Sequence, residues 1–238
     1  MLAALILRPA AEVRFGGGSP RRTMIIAKGE GMRPRAVAAE LVGTFALALS
    51  AVISVNNPGF PVPAPAMAGL TLGVLVHLLG PVSGCLLNPA VTIAIWSIGK
   101  IEAKDAGPFI AAQFAGAGLA LALGSVLFAD PVPLPVDASA GTGVAEMLGA
   151  ALLAFTIAAV FLDRIPDRLT GAVIGAALVV GISWAAHGSN GVLNPAVALG
   201  IGSFSLAYVW GPVVGALIGA HLSRYVCDPG GRTTRVDG

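Results

Sequence analysis

Two copies of one short phrase constrain this chain more than anything else in it: Ser83 to Ile93, SGCLLNPAVTI, and Ser189 to Gly200, SNGVLNPAVALG. Asn88, Pro89, Ala90 and Val91 return as Asn194, Pro195, Ala196 and Val197, an offset of 106 residues (194 − 88). The E-x-x-G of Glu40 and Gly43 returns at the same offset as Glu146 and Gly149, so no insertion separates the anchors. An ungapped duplication of this length is a strong internal-repeat signal. Asparagine is a favoured N-cap and proline suits the first helical position, so each copy opens a helix. The side-chain oxygen of each asparagine caps its own helix, and its NH2 stays available to donate elsewhere.

Composition sets the medium. With 56% apolar and 11% charged residues and a mean hydropathy of +0.86, the chain lies far from the roughly 25% charged norm of soluble domains. It reads as a membrane protein. The net charge of +2 comes from dispersed basic residues without interleaved aromatics, which argues against nucleic acid as a partner. The two cysteines, Cys85 and Cys227, form neither a metal-ligand spacing nor a disulfide framework. No metal or other cofactor is expected.

Residues 1–34 read as a disordered tail and 227–238 as a second tail, flanking a membrane domain over 35–226 with repeats at about 35–128 and 141–226. The apolar start MLAALIL is too short for a span, and no convincing cleavage site follows. Spans are predicted at about 36–55, 66–80, 106–128, 144–162, 169–187 and 206–226, with short helices from Asn88 to about Ile98 and from Asn194. The first short helix, about eleven residues at 1.5 Å each, reaches only half way across a bilayer. The expected fold is therefore all-α, six transmembrane helices plus two re-entrant half-helices.

Each copy holds three crossings, an odd number, so the second enters the membrane inverted relative to the first. The two half-helices then approach from opposite faces, N-terminus toward N-terminus. All fourteen basic residues fall on one side of this topology, which the positive-inside rule makes cytoplasmic, both termini included. A multi-pass cell-membrane protein is expected.

Paired N-P-A half-helices, an E-x-x-G opening each repeat, six spans and an S-G before the first anchor resemble the aquaporin and aquaglyceroporin channels, the major intrinsic proteins. The resemblance runs from about Arg35 to Val226. It implies a homotetramer in which every subunit has its own pore for water or small uncharged solutes. It also implies that Glu40 and Glu146 are scaffold, each carboxyl accepting backbone N–H groups from the re-entrant loop of its half. A carboxyl inside a span is otherwise costly, and the other reading points both into an aqueous vestibule.

The mechanism follows from backbone chemistry. Carbonyls without helical partners persist at membrane depth only where they line a wet cavity or are buried in protein, and the loops into Asn88 and Asn194 meet that condition. The two asparagine amides would donate to one permeating oxygen at the centre and interrupt a proton wire. Two half-helix N-termini, each carrying about +0.5 charge, would oppose cations there.

The departures from the family are informative. Its members usually carry an arginine directly after the second N-P-A; here that position is Val197. Counted from the anchors, the other selectivity-filter positions implied by the resemblance are Ala68, Ile182 and Gly191. Leu86 stands where water channels often have a histidine. Small and apolar residues at all four filter positions predict a wide constriction without fixed charge, passing water and small neutral solutes such as glycerol-like polyols or urea. A strictly water-selective channel is the alternative.

The other polar and bulky residues receive plainer readings. Gly43, Gly149, Gly69 and Gly175 read as close-approach positions between helices. His77 is expected to bond between helices rather than to gate, His187 to be solvated at the outer end, and Trp96, Trp184 and Trp210 to sit at interfaces or in packing. Cys85 reads as a small packed residue, with a pore-lining place beside the turn as the alternative. A secondary transporter also uses inverted repeats but needs a coupling-ion site, and the only buried carboxyls here are the symmetric pair. No H-E-x-x-H or G-x-S-x-G supports an enzyme, so no catalytic residue is assigned.

Overall fold

A computed structural model describes residues 33–228 except 58, 60 and 133. The expected tails therefore lie almost wholly outside the described residues. The chain is helical: α1 Pro34–Asn56, α2 Ala64–Ser83, α3 Pro89–Ser97, α4 Ala103–Leu127, α5 Ala140–Phe161, α6 Thr170–Ala185, α7 Pro195–Gly200 and α8 Ala207–Cys227, with one 3-10 turn, Asp167–Leu169, leading into α6.

Five of the six long helices are long and apolar enough to cross a membrane. The sixth, α8, has 21 residues but carries His221 and Arg224 in its last turns. The half-helices are shorter than the spacing alone suggests, nine residues in α3 and six in α7. Prolines open α1, α2, α3 and α7, where they cost no hydrogen bond, and Pro81, Pro108 and Pro212 lie inside α2, α4 and α8.

The helices pair by repeat: α1 with α4 and α2, α5 with α8 and α6, and α2 with α6 across the pseudo-twofold. Each half-helix also packs on the last long helix of the other half, α3 on α8 and α7 on α4. Glycine permits the closest of these approaches. At Gly69 and Gly175 a side chain would lie 2.6 and 2.5 Å from the other's carbonyl oxygen, so α2 and α6 touch backbone to backbone. Gly43 differs from its expectation. It makes room for the side chains of Leu87 and Leu79, whereas Gly149 accommodates both Leu193 and the α6 backbone at Gly181.

Leu87 and Leu193 have positive φ, 49° and 60°, and are fully buried. The left-handed turn at each is what brings the chain round into the following asparagine, and their side chains lock the loops against the long helices. Outside, Leu70, Leu78 and Val126 are largely exposed, as a lipid-facing surface requires.

Side-chain ties gather at two ends. At one end Arg33 pairs with Asp105 at 3.2 Å, Arg164 with Asp228 at 3.0 Å, and Arg224 donates to the carbonyl of Ile98. At the other, Asn56 accepts from the amide of Val132 and Ser205 donates to the carbonyl of Asp137. Every described lysine and arginine belongs to the first end, in or beside the α1 start, the α3–α4 and α5–α6 connections and the α8 finish.

Candidate functional site: the paired asparagine caps and the passage between the repeats

Each N-P-A asparagine has extended backbone, φ −154° at Asn88 and −149° at Asn194, the conformation of an N-cap. The Oδ1 of Asn88 accepts from the amides of Ala90 at 2.9 Å and Val91 at 3.4 Å, and that of Asn194 from Ala196 at 3.0 Å and Val197 at 3.3 Å. The other end of each amide crosses the pseudo-twofold. Asn88 Nδ2 donates to the carbonyl of Leu193, and Asn194 Nδ2 to that of Leu87, both at 2.9 Å. The two half-helices therefore meet start to start, each stitched to the loop of the other.

This revises the expected use of the amide. One hydrogen of each NH2 is structural, and one remains for whatever lies beside it. Pro89, Ala90, Pro195 and Ala196 are buried first-turn residues of the half-helices. Asn88 and Asn194 line a cavity of ≈ 240 Å³ together with Ala68, Ile182, Gly191 and Val197. Leu86 lines it as well. Among the described residues that line it none is charged, and the polar side chains are the asparagines alone, Asn190 being the third.

Glu40 and Glu146 stand behind the loops rather than on the cavity. Glu40 accepts from Ser83 Oγ at 2.6 Å, Leu86 N at 3.0 Å, Leu87 N at 2.7 Å and Gln113 Nε2 at 2.8 Å. Glu146 accepts from Ser189 Oγ at 2.6 Å, Val192 N at 2.9 Å and the amide of Leu193. Both are fully buried. With the loop amides turned back onto the carboxyls, the loop carbonyls are left facing away. Among the described residues no donor reaches those of Leu86, Gly191 or Val192, three residues on the cavity wall.

At the exposed end of the cavity Asn190 ties three segments together. Its Nδ2 donates to the carbonyl of Pro135 at 2.9 Å and to Ser203 Oγ at 2.6 Å, and its backbone amide to Tyr208 Oη at 2.9 Å. Sequence reading missed Asn190 because its repeat counterpart is Gly84, so the offset flagged nothing. Gln113 and Thr92, bonded to each other at 2.9 Å behind the first loop, were missed for the same reason.

A chain with this geometry has close relatives in form and in sequence. Residues 31–226 match the profile of the Major intrinsic protein family. The chain belongs to that family. It is 30% identical over 185 residues to Aquaporin AqpM of Methanothermobacter marburgensis, covering 66% of this chain and 74% of the relative. It is 34% identical over 214 residues to Aquaporin NIP1-3 of Oryza sativa subsp. japonica, covering 81% and 75%. Its fold is that of the solved aquaglyceroporin from Plasmodium falciparum, with a TM-score of 0.64 at 20% identity, covering 83% of this chain and 98% of that one.

As a major intrinsic protein the chain is a multi-pass membrane channel and not an enzyme. The remaining expected residues fall outside its passage. His77 does not line the cavity and lies against α6 without the expected hydrogen bond. It is exposed, packs beside Gly171, and has no hydrogen-bond partner among the described residues. His187 is exposed with Nδ1 3.1 Å from the carbonyl of Ser183. Trp96 and Trp184 are exposed apolar surface, and Trp210 lies over Gly143 between α8 and α5.

Proposed function

We propose that this major intrinsic protein conducts water and small uncharged solutes, glycerol-like polyols and urea among them, through the cavity between the repeats. The observation that carries the reading is the wall at Ala68, Ile182, Gly191 and Val197. All four line the cavity, and none brings a charge or a side-chain hydrogen-bonding group. A solute there meets loop carbonyls and the spare asparagine protons on one side and aliphatic surface on the rest. That pattern suits a molecule with N–H or O–H donors and some carbon surface. A cation would find carbonyl oxygens on one side only and would face the positive N-termini of both half-helices.

Val197 in place of the family's arginine widens the outer station and removes a cationic barrier. Water gains less than larger solutes do, because an apolar ring solvates it poorly. The concentration of basic residues at one end supports cytoplasmic termini, and the family supports a homotetramer in the cell membrane with residues 35–226 as the channel domain. The test is osmotic swelling of proteoliposomes with water, glycerol and urea gradients. Entry of all three, above empty liposomes, is the expected result. Water entry with both solutes excluded would leave the strictly water-selective reading.

A further inference from the structure

The cavity stops short of one end of the molecule, and the helix faces show where. Its lining runs in stripes at four-residue spacing: Leu47, Ala51 and Val55 on α1, Leu153 and Ile157 on α5, Leu178 and Ile182 on α6. The next residue of the α5 stripe is Phe161, and the preceding one of the α6 stripe is Ile174. They are 4% and 2% exposed, yet neither lines the cavity.

The repeat identifies the same place independently. At the 106-residue offset Phe161 is the counterpart of Val55 and Ile174 of Ala68, while Cys85 answers Gly191 and Val76 answers Ile182. The four outer residues line the cavity; the four inner ones are buried and do not. Size accounts for the difference. Phenylalanine replaces valine, isoleucine replaces alanine, and cysteine replaces glycine; only Val76 is smaller than its partner.

We infer that a ring of Phe161, Ile174 and Cys85, at the basic end of the passage, is its narrowest station and sets the solute cut-off, while the outer ring merely admits. The inference rests on the cavity being the solute path. A packed ring of carbon and sulfur offers permeants no hydrogen bond, so each passage requires these side chains to part and the ring to wet. Phe161 ends α5 one residue before its C-cap, where the chain turns and its side chain has the most freedom to swing.

Phe161→Val and Ile174→Ala copy the outer residues Val55 and Ala68 into the inner ring. Per incorporated channel, each is expected to raise water and glycerol permeability at least about threefold, and both together further, while Val126→Ala on the lipid-facing surface, away from the cavity, leaves them unchanged. No rise in either variant or in the pair overturns the inference. If wild type excludes glycerol and an inner-ring variant admits it, the inner ring is supported and the wide outer ring stands. If water flux rises but glycerol stays excluded, the inner ring is supported and the wide-filter reading falls. A second measurement begins from the unaltered ring. With Cys227→Ser, Cys85 is the one remaining thiol of the two in the chain, and it is expected to resist N-ethylmaleimide in intact proteoliposomes and to react once Phe161→Val is added. Prompt labelling in the unaltered ring overturns the inference.

Discussion

The two halves of this channel hold the same loop by different means. Behind the first loop lies a polar web in which Gln113 on α4 donates to both Glu40 and Thr92. Behind the second the counterparts of Gln113 and Thr92 are Gly219 and Ala198, and Glu146 works with its serine and loop amides alone. The space that Gln113 fills between α1 and α4 does not exist between α5 and α8. A side chain at Gly211, Gly215 or Gly219 would meet an α5 carbonyl oxygen at 2.3, 2.1 or 2.0 Å, whereas the α4 counterparts are Asp105, Phe109 and Gln113. Duplication preserved the cap and the carboxyl, and left each half to solve helix spacing separately.

Exchanging the two solutions is the harshest test. Gly219→Gln puts a side chain where the α5 backbone already is, and overpacking against backbone has no rotamer remedy. Loss of folded protein in detergent is expected, read as failure to recover a monodisperse peak. The reverse exchange, Gln113→Gly, is expected to fold but to lose roughly 2–4 kcal/mol through a cavity and a weakened polar web. Equal tolerance of the two exchanges would show that the halves are not spaced differently after all.

Removing the carboxyls comes next. Glu40→Ala strands Ser83, two loop amides and one hydrogen of Gln113; Glu146→Ala strands two loop amides, since Ser189 Oγ keeps the carbonyl of Ala185 at 2.9 Å. Each buried orphan costs about 1–3 kcal/mol. The first variant is therefore expected to melt at lower temperature than the second by an amount that Gln113→Leu, added to it, partly restores. An unchanged difference would remove Gln113 from the web.

What was legible in the sequence follows the repeat. Asn88 and Asn194, Glu40 and Glu146, and the six-plus-two arrangement were visible because identical residues at one offset demand identical local structure. The cross-bonds from each asparagine to Leu193 and Leu87 were not, since a backbone acceptor leaves no mark in residue identity. Nor were the residues that break the repeat. Gln113 looks like a stray amide in an apolar helix, and Asn190 like a turn residue, until their partners are seen. His77 invited a polar role by its type alone, but it sits on the exposed side of α2 beside Gly171, which the weak amphipathicity of a lipid-exposed helix does not disclose.

Openness separates the halves as well. Val197 lines the cavity, while its mirror Val91 is fully buried and does not. Val197→Arg is therefore expected to act only on the outer station. It should lower glycerol permeability by roughly tenfold, with a smaller effect on water, and slow proton entry by adding a fixed cation. Stopped-flow light scattering and an entrapped pH-sensitive dye measure the two. Proton entry unchanged by the arginine would mean that the paired half-helices already supply the whole barrier.

The mildest contrast is between the starts of the two leading helices. At α1 the cap position is Arg33, which makes no capping bond and instead pairs with Asp105. At α5 it is Ser139, whose Oγ accepts from Thr142 N at 3.2 Å, and Asp137 gathers Thr142 Oγ1 at 2.7 Å, Ser139 Oγ at 2.7 Å and Ser139 N at 2.8 Å. Donation by Thr142, then by Ser139, holds the Asp137 carboxyl below the ordinary aspartate range. A depressed value means the clip is in force at neutral pH and is lost only as pH falls through that lowered value. Because Asp137 is exposed, Asp137→Ala should leave the melting temperature nearly unchanged and speed amide exchange across 137–142 by a few-fold. Wild type should approach the variant only once the pH has fallen through that lowered value. Since Thr142 Oγ1 also lies 3.2 Å from the carbonyl of Gly188, next to the second loop, a loss of solute selectivity on top of faster exchange would mean that this helix start also positions the outer ring, a coupling that α1, uncapped and tied by Arg33 to Asp105 at the basic end, has no means to provide.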